Sequence, residues 1–196
     1  MSQQQLRVAV VVGSTREGRF APVVTGWIKG HLEQRDDLDV DVVDLGETPL
    51  PTVFPAFGRP PAPGAGEALA AVSPRLAAAD AFVFVTPEYN HSFPASLKNA
   101  IDWHNEQWHA KPVGFVSYGG VSGGLRAVEQ LRLVMAELHA TTIRNTVSLH
   151  HAWGLFDEGH AMKDAQCDAA AKAMLDQLAW WAQALRDART VRPYAA

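Results

Sequence analysis

The sequence predicts one α/β domain on a parallel sheet, and three observations predict it. Short apolar runs rich in β-branched residues alternate five times with segments of helical spacing, the pattern of strand–helix–strand units joined by right-handed crossovers. Three of the five runs are nearly unbroken in apolar residues, as strands covered on both faces must be. Turns rich in glycine, hydroxyl groups or proline follow the first, third and fourth runs, and a parallel sheet brings such turns to one edge.

The first run, 6–12 (Leu-Arg-Val-Ala-Val-Val-Val), ends at Gly13. A helix is predicted over 20–34, with Pro22 in its first turn, where a missing N–H costs nothing. The second strand is 40–45. Prolines 49, 51, 55, 60, 61 and 63 then make 49–63 a stiff, extended loop rather than an interdomain linker, since what precedes it is too short for a domain. An alanine-rich helix at 66–79 leads to the third strand at 81–85, and a helix opening with Pro94 covers 94–104. The fourth strand is 113–118. The next helix, 123–139, puts Leu125, Val128, Leu131, Val134, Met135 and Leu138 on one stripe. A weaker fifth strand follows at 141–149, and a last helix at about 163–189 carries Met174, Leu175, Leu178, Trp181 and Leu185. No internal repeat is visible, so a single domain is assigned to 1–196.

Composition narrows the function classes. With 196 residues, 47% hydrophobic and 19% charged, the chain is an ordinary globular one that buries a full core. A net charge of −4 with scattered basic residues gives no overall field for a nucleic acid. No run of 18 apolar residues is present to span a membrane, and the polar start Met-Ser-Gln-Gln-Gln lacks a signal-peptide pattern. Cys167 is the single cysteine, which excludes an intrachain disulfide and any multi-cysteine metal site. A cytoplasmic protein without nucleic-acid or membrane partners is expected.

In open parallel sheets ligands bind beyond the carboxyl ends of the strands, so the residues after each run carry the function. After the first strand, Gly13-Ser14-Thr15-Arg16-Glu17-Gly18-Arg19-Phe20 offers hydroxyl donors and two arginines at the positive end of a helix, as a phosphate cradle requires. An ordinary turn with a serine cap is the competing reading. A Walker loop is excluded, because Gly18-Arg19-Phe20 stands where Gly-Lys-Ser/Thr belongs. A dinucleotide fingerprint needs three spaced glycines and only Gly13 and Gly18 are present. After the third strand comes Thr86-Pro87-Glu88-Tyr89-Asn90-His91-Ser92-Phe93-Pro94, and after the fourth Ser117-Tyr118-Gly119-Gly120-Val121-Ser122-Gly123-Gly124. Glycine brings main-chain groups close to a ligand, and Tyr89 and Tyr118 add apolar contact, so the two turns suit a flat polar ring. Either turn alone reads equally well as a plain strand closure.

Gly13-Ser14-Thr15-Arg16 together with the long segment from Pro87 to Trp103 (Pro-Glu-Tyr-Asn-His-Ser-Phe-Pro-Ala-Ser-Leu-Lys-Asn-Ala-Ile-Asp-Trp) resembles the NADPH-dependent FMN reductase family, which includes quinone, azo-dye and chromate reductases. The spacing to Ser117-Tyr118-Gly119-Gly120 also fits, and the resemblance covers about 6–150. It implies a flavodoxin-like, doubly wound, three-layer αβα fold with five parallel strands in the order 2-1-3-4-5. It also implies that Ser14, Thr15, Arg16 and Arg19 hold the FMN phosphate. Pro87, Glu88, Tyr89 and Asn90 would then line the isoalloxazine, with Ser117, Tyr118, Gly119 and Gly120 at its other side. Phe20 is carried as a cofactor-binding candidate, although some relatives have small hydroxyl or amide residues around it. The implied chemistry is hydride transfer from NADPH or NADH to the flavin. Electrons then pass to a small-molecule acceptor (a quinone, azo compound, metal oxyanion or free flavin), in a homodimer or homotetramer. The cofactor carries that reaction, so no catalytic side chain is named, and Glu88 is read as ordering its own loop rather than as an acid.

His150, His151 and His160 lie in an irregular stretch without the i, i+4 spacing of helical metal ligands, so no metal is expected. Cys167, flanked by Asp164 and Asp168, reads as inert. Trp103 and Trp108 read as core or subunit contacts. Adjacent Trp180 and Trp181 cannot share a helix face, so one points outward, towards a partner surface. Two readings compete with the reductase: a flavodoxin-type carrier that holds FMN without NAD(P)H activity, and an interaction protein that has lost the cofactor.

Overall fold

A computed structural model describes residues 4–56 and 58–195. The polar lead Met1–Gln3, residue 57 of the proline-rich stretch and the last residue lie outside that description. The strands are β1 (Leu6–Val12), β2 (Leu38–Asp44), β3 (Ala81–Pro87), β4 (Pro112–Tyr118), β5 (Thr141–Thr142) and β6 (Val147–Leu149). The helices are α1 (Ala21–Glu33), α2 (Pro63–Ala78), α3 (Ala95–Asp102), α4 (Leu125–Glu137) and α5 (Ala165–Val191). All strand pairs are parallel and their order is β2-β1-β3-β4-β5, with β6 also on β4. Order therefore reverses between β1 and β3, the crevice where such sheets take ligands.

Alternation along the strands builds the three layers. Val8, Val10 and Val12 join Val83, Val85, α1 and α5 in one core, while Ala9, Val11, Phe82 and Phe84 join α2, α3 and α4 in the other. Successive side chains point to opposite faces, so covering both faces makes every central position apolar. Trp108, expected as core or subunit contact, is fully buried against Phe82 and Phe84.

The fifth strand position is split in two. Val113 pairs with Thr142 and Val116 with Val147, so Gly114 and Phe115 of β4 face four residues, Ile143 to Thr146. Arg132 of α4 stabilises this bulge: it donates to Ile143 O (2.7 Å) and Arg144 O (3.2 Å) and lies over the Phe115 ring. The proline-rich segment is a loop pinned by Asn99 and Trp103, whose side-chain N–H groups donate to the Leu50 and Pro51 carbonyls. The alanine-rich helix starts at Pro63, earlier than 66, and accommodates Pro74 in its interior.

Candidate functional site

The turn after β1 is anchored at its base and open at its tip. Gly13 N donates to Val85 O at 2.9 Å, and Ser14, fully buried, places Oγ 2.8 Å from the Tyr89 hydroxyl. Arg19 turns back rather than outward: it donates to Ser14 O at 2.6 Å and forks onto Asp44 at the end of β2, at 2.5 and 2.8 Å. The hydrogen bonds to Asp44 outweigh burial and raise the Arg19 pKa further, so its charge is neutralised within the protein. Thr15, Arg16, Glu17 and Gly18 are exposed, and among the described residues Arg16 forms no ion pair. α1 begins with no acidic residue in its first turn and no side-chain cap, which leaves its positive end uncompensated.

The turn after β3 is a tight hairpin. Tyr89 and Ser92 exchange main-chain hydrogen bonds (2.8 and 3.0 Å) around Asn90 and His91, whose φ values are +50° and +70°. Two successive left-handed residues are what a two-residue hairpin requires, usually with glycine at the second. Glu88 binds outside its own loop: Oε1 accepts from Arg126 Nη1 at 2.6 Å and Oε2 from the Arg126 main-chain N–H at 3.1 Å. Burial pushes its carboxyl up, but the hydrogen bonds from Arg126 and Ser122 prevail and hold it below the usual range. The expectation that Glu88 orders its own loop is thus refined, since it ties that loop to α4.

The turn after β4 is glycine-walled. Gly124 has φ of +86°, and a Cβ there would lie 2.5 Å from Ser117 Cβ. Ser117 is buried beneath the turn and donates to Gly123 O at 2.7 Å. Tyr118 is 4% exposed; burial, then the neighbouring Tyr89, push its hydroxyl above the usual tyrosine range. Phe20 closes the same side, edge-on to Tyr118 at 6.3 Å and to Phe156 at 5.6 Å.

Together the three turns enclose a cleft of about 400 Å³ at the carboxyl edge of the sheet. Ten of the sequence candidates line it: Ser14, Arg16, Arg19, Phe20, Pro87, Glu88, Tyr89, Tyr118, Gly119 and Gly120. Thr15 and Asn90 are exposed and do not line it, and neither does Ser117, which is buried beneath the turn after β4. Sequence reasoning missed Glu17, Gly18 and Trp153 as lining residues. It also missed Asp44 and Arg126. Asp44 ends a strand on the same edge and was findable; Arg126 sits among polar helix positions with nothing to single it out.

The profile of the NADPH-dependent FMN reductase family matches residues 6–154. An NAD(P)H-dependent FMN reductase of Schizosaccharomyces pombe is 37% identical over 124 residues, 60% of this chain and 60% of that protein. The chain thus spans three-fifths of that relative's length. A probable NADPH:quinone oxidoreductase of Oryza sativa subsp. japonica is 32% identical over 186 residues, covering 89% of this chain and 87% of the relative. In fold, the chain is similar to the flavoenzyme NAD(P)H:(acceptor) oxidoreductase FerB from Paracoccus denitrificans, with a TM-score of 0.74 at 22% identity over 91% of this chain and 98% of the other.

Proposed function

The chain belongs to the NADPH-dependent FMN reductase family, and from that premise we propose that its cleft holds FMN, takes hydride from NAD(P)H and delivers electrons to a small-molecule acceptor. The observation that carries the reading is the pairing of an unneutralised arginine and an uncapped helix start with a glycine-walled slot on the same crevice. The residues fit the group. A Cβ built at Gly120 meets nothing within 4 Å, so that glycine leaves space open beside the cleft. Arg16, without an ion pair among the described residues, lines the cleft beside Gly18, Arg19 and Phe20, which lead into α1, so a phosphate there would gain from the helix dipole.

Bound FMN supplies the two-electron carrier that accepts hydride from the nicotinamide and passes electrons on. The chain's own residues bind and orient. Ser14 and Arg16, with the exposed Thr15 between them, form the phosphate end; Arg19 braces that loop through Asp44. Pro87, Glu88, Tyr89, Asn90, Tyr118, Gly119 and Gly120 form the ring end. Phe20 and Trp153 make an aromatic wall, with centroids 6.3 Å apart. No side chain is placed as proton donor: Glu88 is held ionised by Arg126, and Tyr118 keeps its proton.

The acceptor is a quinone, azo compound, metal oxyanion or free flavin, since an open slot with few directional groups selects for reducibility rather than for one shape. The working form is a homodimer or homotetramer in the cytoplasm. Exposed Val121, Leu125 and Leu133 on and beside α4 and the outward Trp180 support the oligomer. Among the described residues no helix is long and apolar enough to cross a membrane. A light-scattering mass at the monomer value would remove the oligomer. The function itself is tested by following NAD(P)H oxidation with a quinone, with and without added FMN. Turnover that needs FMN supports the reductase, whereas flavin binding without turnover would make the chain an electron carrier.

A further inference from the structure

The hairpin after β3 adopts a costly conformation. Asn90 and His91 both have φ in the left-handed region; asparagine tolerates it, but histidine at the second position, where glycine is usual, carries a strain that its surroundings must offset. The surroundings are two residues of α4, one helical turn apart and hence on one face. Arg126 grips Glu88 at the base of the hairpin through its guanidinium and main-chain N–H. Gln130 grips the tip: Nε2 donates to His91 O at 2.7 Å and Oε1 accepts from Ser92 Oγ at 2.6 Å.

The grip at the base serves both partners. α4 starts after Gly124, which has no side chain to cap it. Glu88 supplies the missing acceptor from another loop, and its negative charge lies at the helix's positive end. The Glu88 side chain is 7% exposed and that of Arg126 46%, so the carboxylate is sheltered while the guanidinium stays half in water, which screens the pair in part. The Gln130 contacts, exposed like those of Arg126, join neutral groups and are weaker for that reason. Tyr89 extends the chain of contacts to Ser14 under the phosphate loop.

We propose that Arg126 and Gln130 are positioning residues for flavin: they hold the hairpin that forms the ring end of the slot and so set its affinity for the isoalloxazine without touching the phosphate. The inference rests on the FMN reading and adds the residues that tune it. Its test is the affinity of wild type, Arg126→Met and Gln130→Leu for FMN and for riboflavin, read by flavin fluorescence, with the visible circular dichroism of the bound flavin recorded alongside. Arg126→Met is expected to weaken both flavins alike, by about tenfold for a lost charge-assisted contact, and to alter the dichroism. Gln130→Leu is expected to weaken both by a few-fold, and Arg126→Lys to recover part of the loss. Unchanged binding and dichroism, or a loss confined to FMN, overturns the proposal. Should Arg126→Met fail to fold, the same ratio in Gln130→Leu, whose contacts lie at the exposed tip, decides it. Wild-type protein that binds neither flavin overturns the FMN reading itself, an outcome distinct from wild-type binding with unaffected variants.

Discussion

The phosphate turn and the ring hairpin flank one cleft and are built in opposite ways. At the hairpin the side chains of Glu88, Tyr89 and Ser92 and the main-chain carbonyl of His91 are engaged: Glu88 with Arg126, Tyr89 with Ser14, His91 O and Ser92 with Gln130. At the phosphate turn only the base is engaged, through Ser14 and the Arg19–Asp44 pair, while Thr15, Arg16 and Glu17 stand in solvent. A flat ring offers few strong handles, so its slot gains from being preorganised. A phosphate carries charge enough to order a loop by itself. On the proposed FMN reading, affinity at the ring end is stored in the fold and at the phosphate end arises on binding.

Four experiments break or sharpen that contrast. The largest effect is expected from Gly124→Ala, which combines a left-handed backbone with a Cβ 2.5 Å from Ser117 Cβ; unfolding free energy should fall by about 3 kcal/mol, measured by urea denaturation. Arg16→Ala should leave stability alone and cost about 2 kcal/mol in FMN binding, with riboflavin unaffected. Equal losses for both flavins would erase the distinction between the two ends.

A third experiment uses the opposite edge of the sheet as a control. Burial, with Arg189 nearby, pushes Lys111 down to about 8, against an ordinary value near 10.4. The folded state therefore releases this proton before the unfolded state does, so stability should rise from pH 8 to 10, on the order of 2 kcal/mol. Above pH 10 the raised Tyr118 works the other way, because the folded state then holds the extra proton. Lys111→Met should abolish the rise in a pH series of denaturation curves while FMN affinity stays put. The smallest effect belongs to Gly119→Val. A Cβ at Gly119 meets Gly124 N at an ordinary 3.5 Å, so the fold should tolerate it and only ring-end affinity should drop, by a few-fold. Two glycines of one turn would then separate, one required by the backbone and one by the ligand.

How much of this was legible in the sequence follows from the range of the interactions. The central strands were legible because burial on both faces leaves an unbroken apolar run. The fifth was weak because its pairing really is interrupted, with Arg144 and Asn145 in the bulge between β5 and β6. The three turns were legible as local composition. Their partners were not: Arg19 finds Asp44 and Glu88 finds Arg126 across 25 and 38 residues, and no local pattern marks which charges will meet. Phe20 was carried as a cofactor ligand on resemblance; its ring stands in an aromatic cluster with Tyr118, Trp153 and Phe156, contacts visible only once the chain is folded.

The central claim is that this cleft holds FMN and lets NAD(P)H reduce it. The direct measurement is the visible absorption spectrum of the FMN-reconstituted protein under anaerobic conditions, before and after NADPH and then NADH. The account predicts protein-bound flavin bands that bleach on adding a nicotinamide donor. Bound flavin that stays oxidised with both donors, or protein that retains no flavin at all, would contradict it.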